Sequence, residues 1–298
     1  MNDSILITGA TGFIGAHLVQ ALQRRGDSVV THSTRDGDLA HEEPKATGVR
    51  HVYHLAARTY VPDSWKEPRR FYEANVLGAI SVLEFCRKHG CSLTLMSSYV
   101  YGRPERLPLS EDHPLRAFNP YAHSKILSEE VARFYETAYK IPVSIVRPFN
   151  IYGPRQGGQF LIPTLITQVL SNDCDAIIVQ DADPRRDYIF VEDLIDLLLL
   201  LDGPQHPGVY NAGSGVSTSV RELADEILRL TQVQKPILSR ECRRPDEILN
   251  TVADVERARQ ILNWRPKTGL QEGLLRTIDY MRAITAGETP EKVKEQHH

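Results

Sequence analysis

Through the first half of the chain, short unbroken apolar runs alternate with longer stretches whose apolar residues recur every three or four positions. The runs fall at residues 5–7, 28–32, 51–57, 93–97 and 143–147, and the periodic stretches at 13–25, 67–89 and 120–137. Unbroken runs of this length suit strands buried on both faces, and the longer period suits helices. Their alternation predicts an α/β fold, a doubly wound parallel sheet with right-handed crossovers and helices on both sides. The stretch from residue 32 to 51 is short for a helical crossover, so an element is expected to be trimmed there. The 67–89 helix carries apolar residues on more than one face: Phe71, Tyr72, Val76, Leu77, Ile80, Val82, Leu83, Phe85 and Cys86. The sheet accounts for one face. A second copy of the chain is expected on the other, with the chain's own loops as the alternative.

After residue 153 the pattern loosens. Gly153-Pro154, Gly157-Gly158, Asp183-Pro184, Gly203-Pro204 and Pro207-Gly208 punctuate it. Ser219 and Glu222 form a capping-box pair opening a helix to about Leu230. Two shorter helices are expected near 255–262 and 270–281. The division predicted is a nucleotide-binding domain over 1–155 and a smaller α+β substrate lobe over 156–298, with some segments of the second returning to the first sheet.

The first run leads directly into Gly9, Gly12 and Gly15, spaced G-x-x-G-x-x-G, and then into the first helix. Strand, tight turn and helix bring backbone N–H groups and a helix dipole to one point, which suits a pyrophosphate. Gly9 allows the turn, Gly12 the approach of phosphates and Gly15 close packing of helix on strand. Composition adds limits. With 41% hydrophobic residues, 24% charged and a net charge of −3, the chain reads as soluble and globular, with no basic surface for nucleic acid. Its four cysteines form no CxxC pair and suit a reducing compartment. No signal peptide fits ahead of the first strand, and the apolar run 194–201 is too short to span a bilayer. A cytoplasmic location with no membrane partner is expected. His297-His298 is given no metal role, and no metal site is predicted.

Tyr121 and Lys125 stand at i and i+4 at the start of the 120–137 helix, one turn apart on one face. A nearby ammonium lowers a phenol's pKa, so the pair could exchange a proton with a carbinol or carbonyl oxygen. Ser97 and Ser98 end the 93–97 run at the carboxyl edge, where parallel sheets bind ligands.

In order along the chain stand the glycine turn, His54-Leu55-Ala56-Ala57, Asn75, Ser97-Ser98-Tyr99-Val100-Tyr101-Gly102, Tyr121 with Lys125, and Arg147-Pro148-Phe149-Asn150-Ile151-Tyr152-Gly153-Pro154. Arg185-Arg186-Asp187-Tyr188, Arg244-Pro245-Asp246-Glu247 and Trp264-Arg265-Pro266 follow. This series resembles the extended short-chain dehydrogenase/reductase family of nucleotide-sugar epimerases, dehydratases and reductases, over nearly the whole chain. The resemblance implies a Rossmann domain holding NAD(P), a homodimer, and a nucleotide sugar as substrate. It implies Tyr121 as general acid/base, and Lys125 on the nicotinamide ribose while depressing the phenol's pKa. Counting back from Val100-Tyr101-Gly102 implies Ser97 as the catalytic hydroxyl, with Ser98 as the fallback if the loop is slipped by one. Gly9, Thr11, Gly12, Phe13, Ile14, Gly15, Leu55, Ala56, Ala57 and Pro148 would contact the cofactor, and Asn75 would be a structural and proton-relay residue beside it. Ser98, Tyr99, Asn150, Arg186 and Arg244 would face the substrate, the arginines on its diphosphate.

Relatives that use NAD carry an acid at the end of the second strand. Here Ser33, Thr34 and Arg35 stand there, suited to a 2′-phosphate, and Thr34-Arg35-Asp36 resembles GDP-fucose synthases. NADP is the expected cofactor and NAD the alternative, with Asp38 and Leu39 bordering the adenine. Dehydratases of the family have an Asp-Glu pair where Ser98 and Tyr99 stand, so 4,6-dehydration is not expected. No cysteine lies in the 98–110 loop, so the epimerising step of GDP-fucose synthases is not carried over. Two activities remain: a 4-keto-reductase of an NDP-4-keto-6-deoxyhexose, favoured by the NADP-like strand end, and an NDP-sugar 4-epimerase with tightly bound NAD. A non-catalytic nucleotide-binding scaffold is the reading from another class.

Overall fold

The computed structural model describes residues 3–242 and 248–287. In chain order its elements are β1 (Ser4–Thr8), α1 (Phe13–Arg25), β2 (Ser28–His32), β3 (Val49–His54), α2 (Val61–Lys66), α3 (Pro68–Tyr72), a π turn (Glu73–Leu77), α4 (Gly78–His89), β4 (Ser92–Met96), α5 (Pro120–Tyr139) and β5 (Val143–Pro148). Next come β6 (Asn150–Tyr152), α6 (Leu161–Leu170), β7 (Ile177–Val179), β8 (Arg185–Phe190), α7 (Val191–Leu200), β9 (Gly208–Ala212), β10 (Ser217–Ser219), α8 (Val220–Thr231), β11 (Ile237–Ser239), α9 (Glu256–Leu262) and α10 (Leu270–Thr285).

Six parallel strands form the main sheet in the order β2-β1-β3-β4-β5-β9. Successive residues of β1 feed opposite layers. Ile5 and Ile7 pack with Leu18 and Leu22 of α1, and Leu6 packs with Val82 and Leu83 of α4. Burial on both faces is why these strands read as continuous apolar runs. Strand order reverses beside β1, so the loops leaving β1 and β3 diverge and open a crevice at the carboxyl edge. Between β2 and β3 the chain makes only turns, with no helix or strand. The fold is a Rossmann-like α/β sheet with helices on both faces.

Several boundaries differ from the sequence pattern. β3 stops at His54 because Leu55 and Ala56 turn back under β1, where Leu55 N donates to Thr8 O at 3.2 Å and Ala56 N to Thr8 Oγ1 at 3.3 Å. The 67–89 segment is helical throughout, as expected, with α3 running through the π turn into α4. Inside that turn the Asn75 carbonyl accepts from Ser128 Oγ at 2.9 Å. A π turn carries one extra residue per turn and frees such carbonyls from the ladder. Cys86, Val82, Leu83 and Phe85 pack toward the sheet. Pro68, Arg69, Tyr72, Glu73, Val76, Leu77 and Leu127 line an open cavity of about 460 Å³.

From the second half, β9 pairs with β5 in the main sheet and α7 packs against α1. α7 contains most of the 194–201 run and is apolar on most sides because it is buried on most sides. The remaining strands build a three-stranded sheet β10-β8-β6 and a parallel pair β11-β7, covered by α6, α8 and α10. The capping box at α8 is formed, with Glu222 N donating to Ser219 Oγ at 3.0 Å.

Candidate active site

Three glycines shape the mouth of the crevice in different ways. Gly9 leaves β1 at φ +71°, and a Cβ there would stand 2.7 Å from Ala56 N. At Gly15 a Cβ would stand 2.2 Å from Gly9 O. Gly12 has an ordinary φ of −73°, and its Cβ would meet only Gly9 O, at 3.2 Å. The space over Gly12 is therefore open. Thr11 and Gly12 are exposed, and Phe13 and Ile14 half-buried. No side chain caps α1 and no acid stands in its first turn, which leaves the first amides for an anion. A dinucleotide pyrophosphate fits this cradle.

At the end of β2, Asp36 folds back. Its Oδ2 accepts from Ser33 N at 2.8 Å and Ser33 Oγ at 2.9 Å, and these hydrogen bonds hold its pKa below the usual carboxylate value. Thr34 and Arg35 are left exposed at the tip of the turn. Asp38 caps the next turn through Ala40 N at 3.0 Å, and Leu39 is buried in the layer beside α4.

Asn119 caps α5 by accepting from Ala122 N at 2.7 Å, with Pro120 in the first helical position. That start places Tyr121 in the first turn, half-buried at the carboxyl edge of the sheet. Burial pushes its pKa up to about 12, and the neighbouring Ser98 hydroxyl opposes that rise. Ser97, selected by counting back from Val100, points elsewhere: its Oγ donates to Glu129 Oε1 at 2.5 Å. Ser97 N still donates to Val146 O, so the residue keeps the alternation of β4. Its side chain thus follows Leu93 and Leu95 into the layer under α5. The ladder continues at Tyr99 N on Pro148 O, so Ser98, between Ser97 and Tyr99, faces away from that layer.

Lys125 is buried, and its Nζ donates to Met96 O at 2.8 Å. Burial lowers the lysine pKa to about 8, with Glu129 opposing the shift. The expected depression of the phenol by Lys125 is absent from this arrangement. Desolvation dominates at Tyr121, and the opposing influence comes from Ser98.

Asn75 braces the floor of the crevice. Its Oδ1 accepts from Arg58 N at 2.8 Å and its Nδ2 donates to Ser124 Oγ at 2.8 Å. Across from Tyr121, Tyr99 stacks on Phe149 at 5.0 Å, and its hydroxyl donates to Asn150 Oδ1 at 3.4 Å. Pro148, buried at the end of β5, accepts from Tyr99 N at 3.2 Å. Arg186 lies in β8 with its Nη1 on Arg185 O and Ile248 O, while Arg244 falls outside the described residues. Glu129, and Arg147 at the head of the Arg147–Pro154 series, carried no expected role. Glu129 Oε2 accepts from Arg147 Nη2 at 2.6 Å, both side chains 1% exposed. The signal available was the spacing of 121, 125 and 129, which shares one helix face.

A model of the NAD dependent epimerase/dehydratase family matches residues 5–213. The chain belongs to that family. It is an NAD(P)-dependent enzyme of the extended short-chain dehydrogenase/reductase type. A UDP-glucose 4-epimerase of Mycolicibacterium smegmatis is 31% identical, over 93% of this chain and 98% of that one. A GDP-6-deoxy-D-mannose reductase of Pseudomonas aeruginosa is 30% identical, over 92% and 95%. The solved structure of an NAD dependent NDP-hexosamine 5,6-dehydratase involved in tunicamycin biosynthesis superposes with a TM-score of 0.86 at 32% identity, over 94% and 98%. Among the described residues no helix is long and apolar enough to cross a membrane, and no group of His, Cys, Asp and Glu is placed to hold a metal ion.

Proposed function

We propose that this family member is an NADP-dependent 4-keto-reductase of a nucleotide-linked 4-keto-6-deoxyhexose, working in the cytoplasm as a homodimer. The observation that carries the reading is the placement of Tyr121 in the first turn of α5 at the carboxyl edge of the sheet, one turn from the buried Lys125 that is tied to the β4 end. A phenol is protonated at neutral pH, and burial raises its pKa further. A protonated phenol is the form that delivers a proton to a carbonyl oxygen as that carbonyl is reduced. The nicotinamide, when bound, supplies the hydride. Tyr121 gives the proton at O4, Ser98 holds that oxygen, and the Lys125 ammonium holds the nicotinamide ribose. Tyr99, Asn150 and Arg186 would face the sugar and its diphosphate. Support for NADP comes from the β2 turn, where Asp36 is tied back to Ser33 and Arg35 is presented outward. The uncovered apolar cavity beside the π turn supports the dimer.

The UDP-glucose 4-epimerase among the relatives favours a second reading, 4-epimerisation with retained NAD. Denaturing the purified protein and identifying the released nucleotide separates the two. The reductase releases little nucleotide and consumes added NADPH with a 4-keto sugar. Stoichiometric NAD together with inversion at C4 of a UDP-hexose would replace it by the epimerase. Tyr121→Phe should lower turnover by about a hundredfold or more at unchanged cofactor affinity; full activity in that variant would overturn both readings.

A further inference from the structure

Tyr121, Lys125 and Glu129 stand at i, i+4 and i+8 on one face of α5. The last two grip successive residues at the end of β4. Lys125 Nζ holds Met96 O at 2.8 Å, and Glu129 Oε1 holds Ser97 Oγ at 2.5 Å. Glu129 is itself fastened from below, where Arg147 Nε donates to its Oε1 at 2.9 Å and Nη2 to its Oε2 at 2.6 Å. Arg147 Nη1 extends the network to Glu111 O at 3.0 Å and Tyr101 OH at 3.2 Å, and Tyr101 OH donates to Asn211 Oδ1 in β9 at 2.5 Å. Four segments thus meet on one carboxylate and its arginine: α5, the β4 end, β5 and the loop after Val100.

A buried ion pair adds little net stability over an apolar replacement of the same shape. Its effect is directional, because a bidentate guanidinium fixes the plane of the carboxylate. We propose that Glu129 is a positioning residue: held in plane by Arg147, it draws the Ser97 side chain under α5 and thereby turns Ser98 toward Tyr121. Ser97 and Ser98 are adjacent, so a residue committed on one side of the strand end leaves its neighbour facing the other. The Glu129 side chain is 1% exposed. It acts through Ser97 on the hydroxyl that meets the phenol. The kinetic arm of the proposal rests on the reductase reading; the geometry does not.

The test uses Ser97→Ala, which cuts one link and leaves the Glu129–Arg147 pair intact, beside Ser97→Thr, which restores a hydroxyl. Tyrosine labelled with ¹³C at Cζ reports the Tyr121 hydrogen bond without substrate, its resonance assigned by Tyr121→Phe. Expected in Ser97→Ala are a Tyr121 resonance displaced in the same direction as in Ser98→Ala, and a kcat about tenfold lower. KM for the nucleotide sugar and Kd for the cofactor stay within twofold. Ser97→Thr recovers both signals. A folded Ser97→Ala with the wild-type resonance and kcat overturns the proposal. Should Ser97→Ala melt too early to assay, Ser97→Cys keeps the volume with a weaker donor and is read the same way. A displaced resonance in a protein that turns over no nucleotide sugar upholds the clamp and removes the reductase reading instead.

Discussion

Ala at Gly12 and Ala at Gly15 place one methyl group on either side of the same turn, and the structure assigns them opposite consequences. At Gly15 the added Cβ would stand 2.2 Å from Gly9 O, 2.8 Å from Ala10 Cα and 2.9 Å from Ala10 C, all backbone atoms. None is the end of a flexible side chain, so α1 must move off the sheet. Overpacking of this kind costs about 1–3 kcal/mol, and in a chain of this size each kcal/mol is about 2–4 °C in Tm. At Gly12 the Cβ meets Gly9 O at 3.2 Å and nothing else within 4 Å, at an ordinary φ. Loss of a favoured N-cap residue and the lower entropy of the unfolded chain then offset each other to within about 1 kcal/mol. The methyl group occupies the space a pyrophosphate needs. Charge-assisted hydrogen bonds contribute about 1.5–3 kcal/mol each, so losing one weakens binding about 10- to 150-fold. Thermal unfolding without ligand and calorimetric titration with NADPH read the two effects separately. Gly12→Ala should melt close to wild type and bind weakly; Gly15→Ala should melt early. Wild-type affinity in Gly12→Ala would refute the cradle, and a Tm as low as that of Gly15→Ala would refute the open space above Gly12.

Arg35→Ala should weaken NADPH about tenfold and leave NADH unchanged, measured by fluorescence titration; equal losses would remove the 2′-phosphate assignment. His51 and His54 are buried with pKa values lowered to about 3 by desolvation. Their unfolded value is near 6.5, so the unfolded chain binds the extra protons, and the stability present above pH 6.5 is lost as pH falls toward 3. The slope is about 1.4 kcal/mol per pH unit for each, so urea midpoints should fall steeply between pH 6.5 and 5, and a flat profile would contradict the burial. Ser219→Ala removes the cap of α8 and should cost about 1 kcal/mol, seen as a Tm lower by about 2–4 °C; no change would show that Glu222, through Arg185, holds that helix start alone.

Patterns that depend on neighbours along the chain were legible. The parallel strands, α1, α5 and the glycine turn each announce themselves through residues within about one turn or one strand length. The 67–89 segment was legible as helical but the π turn within it was not, because that turn at Asn75 is held by Arg58, Ser124 and Ser128 from other segments. β9 and α7 return to the first sheet from beyond residue 190, and no periodicity within them names the strand or helix they join.

The division is sharpest at Ser97 and Ser98. Local sequence determined that a hydroxyl pair would end β4 beside a Tyr-x-x-x-Lys helix, because strand length and the Asn119-Pro120 cap are local properties. The partners that capture Ser97, Glu129 and behind it Arg147, arrive from 32 and 50 residues away. A side chain's direction at a strand end follows from the partner that captures it, and that partner exists only once α5 and β5 have packed against β4.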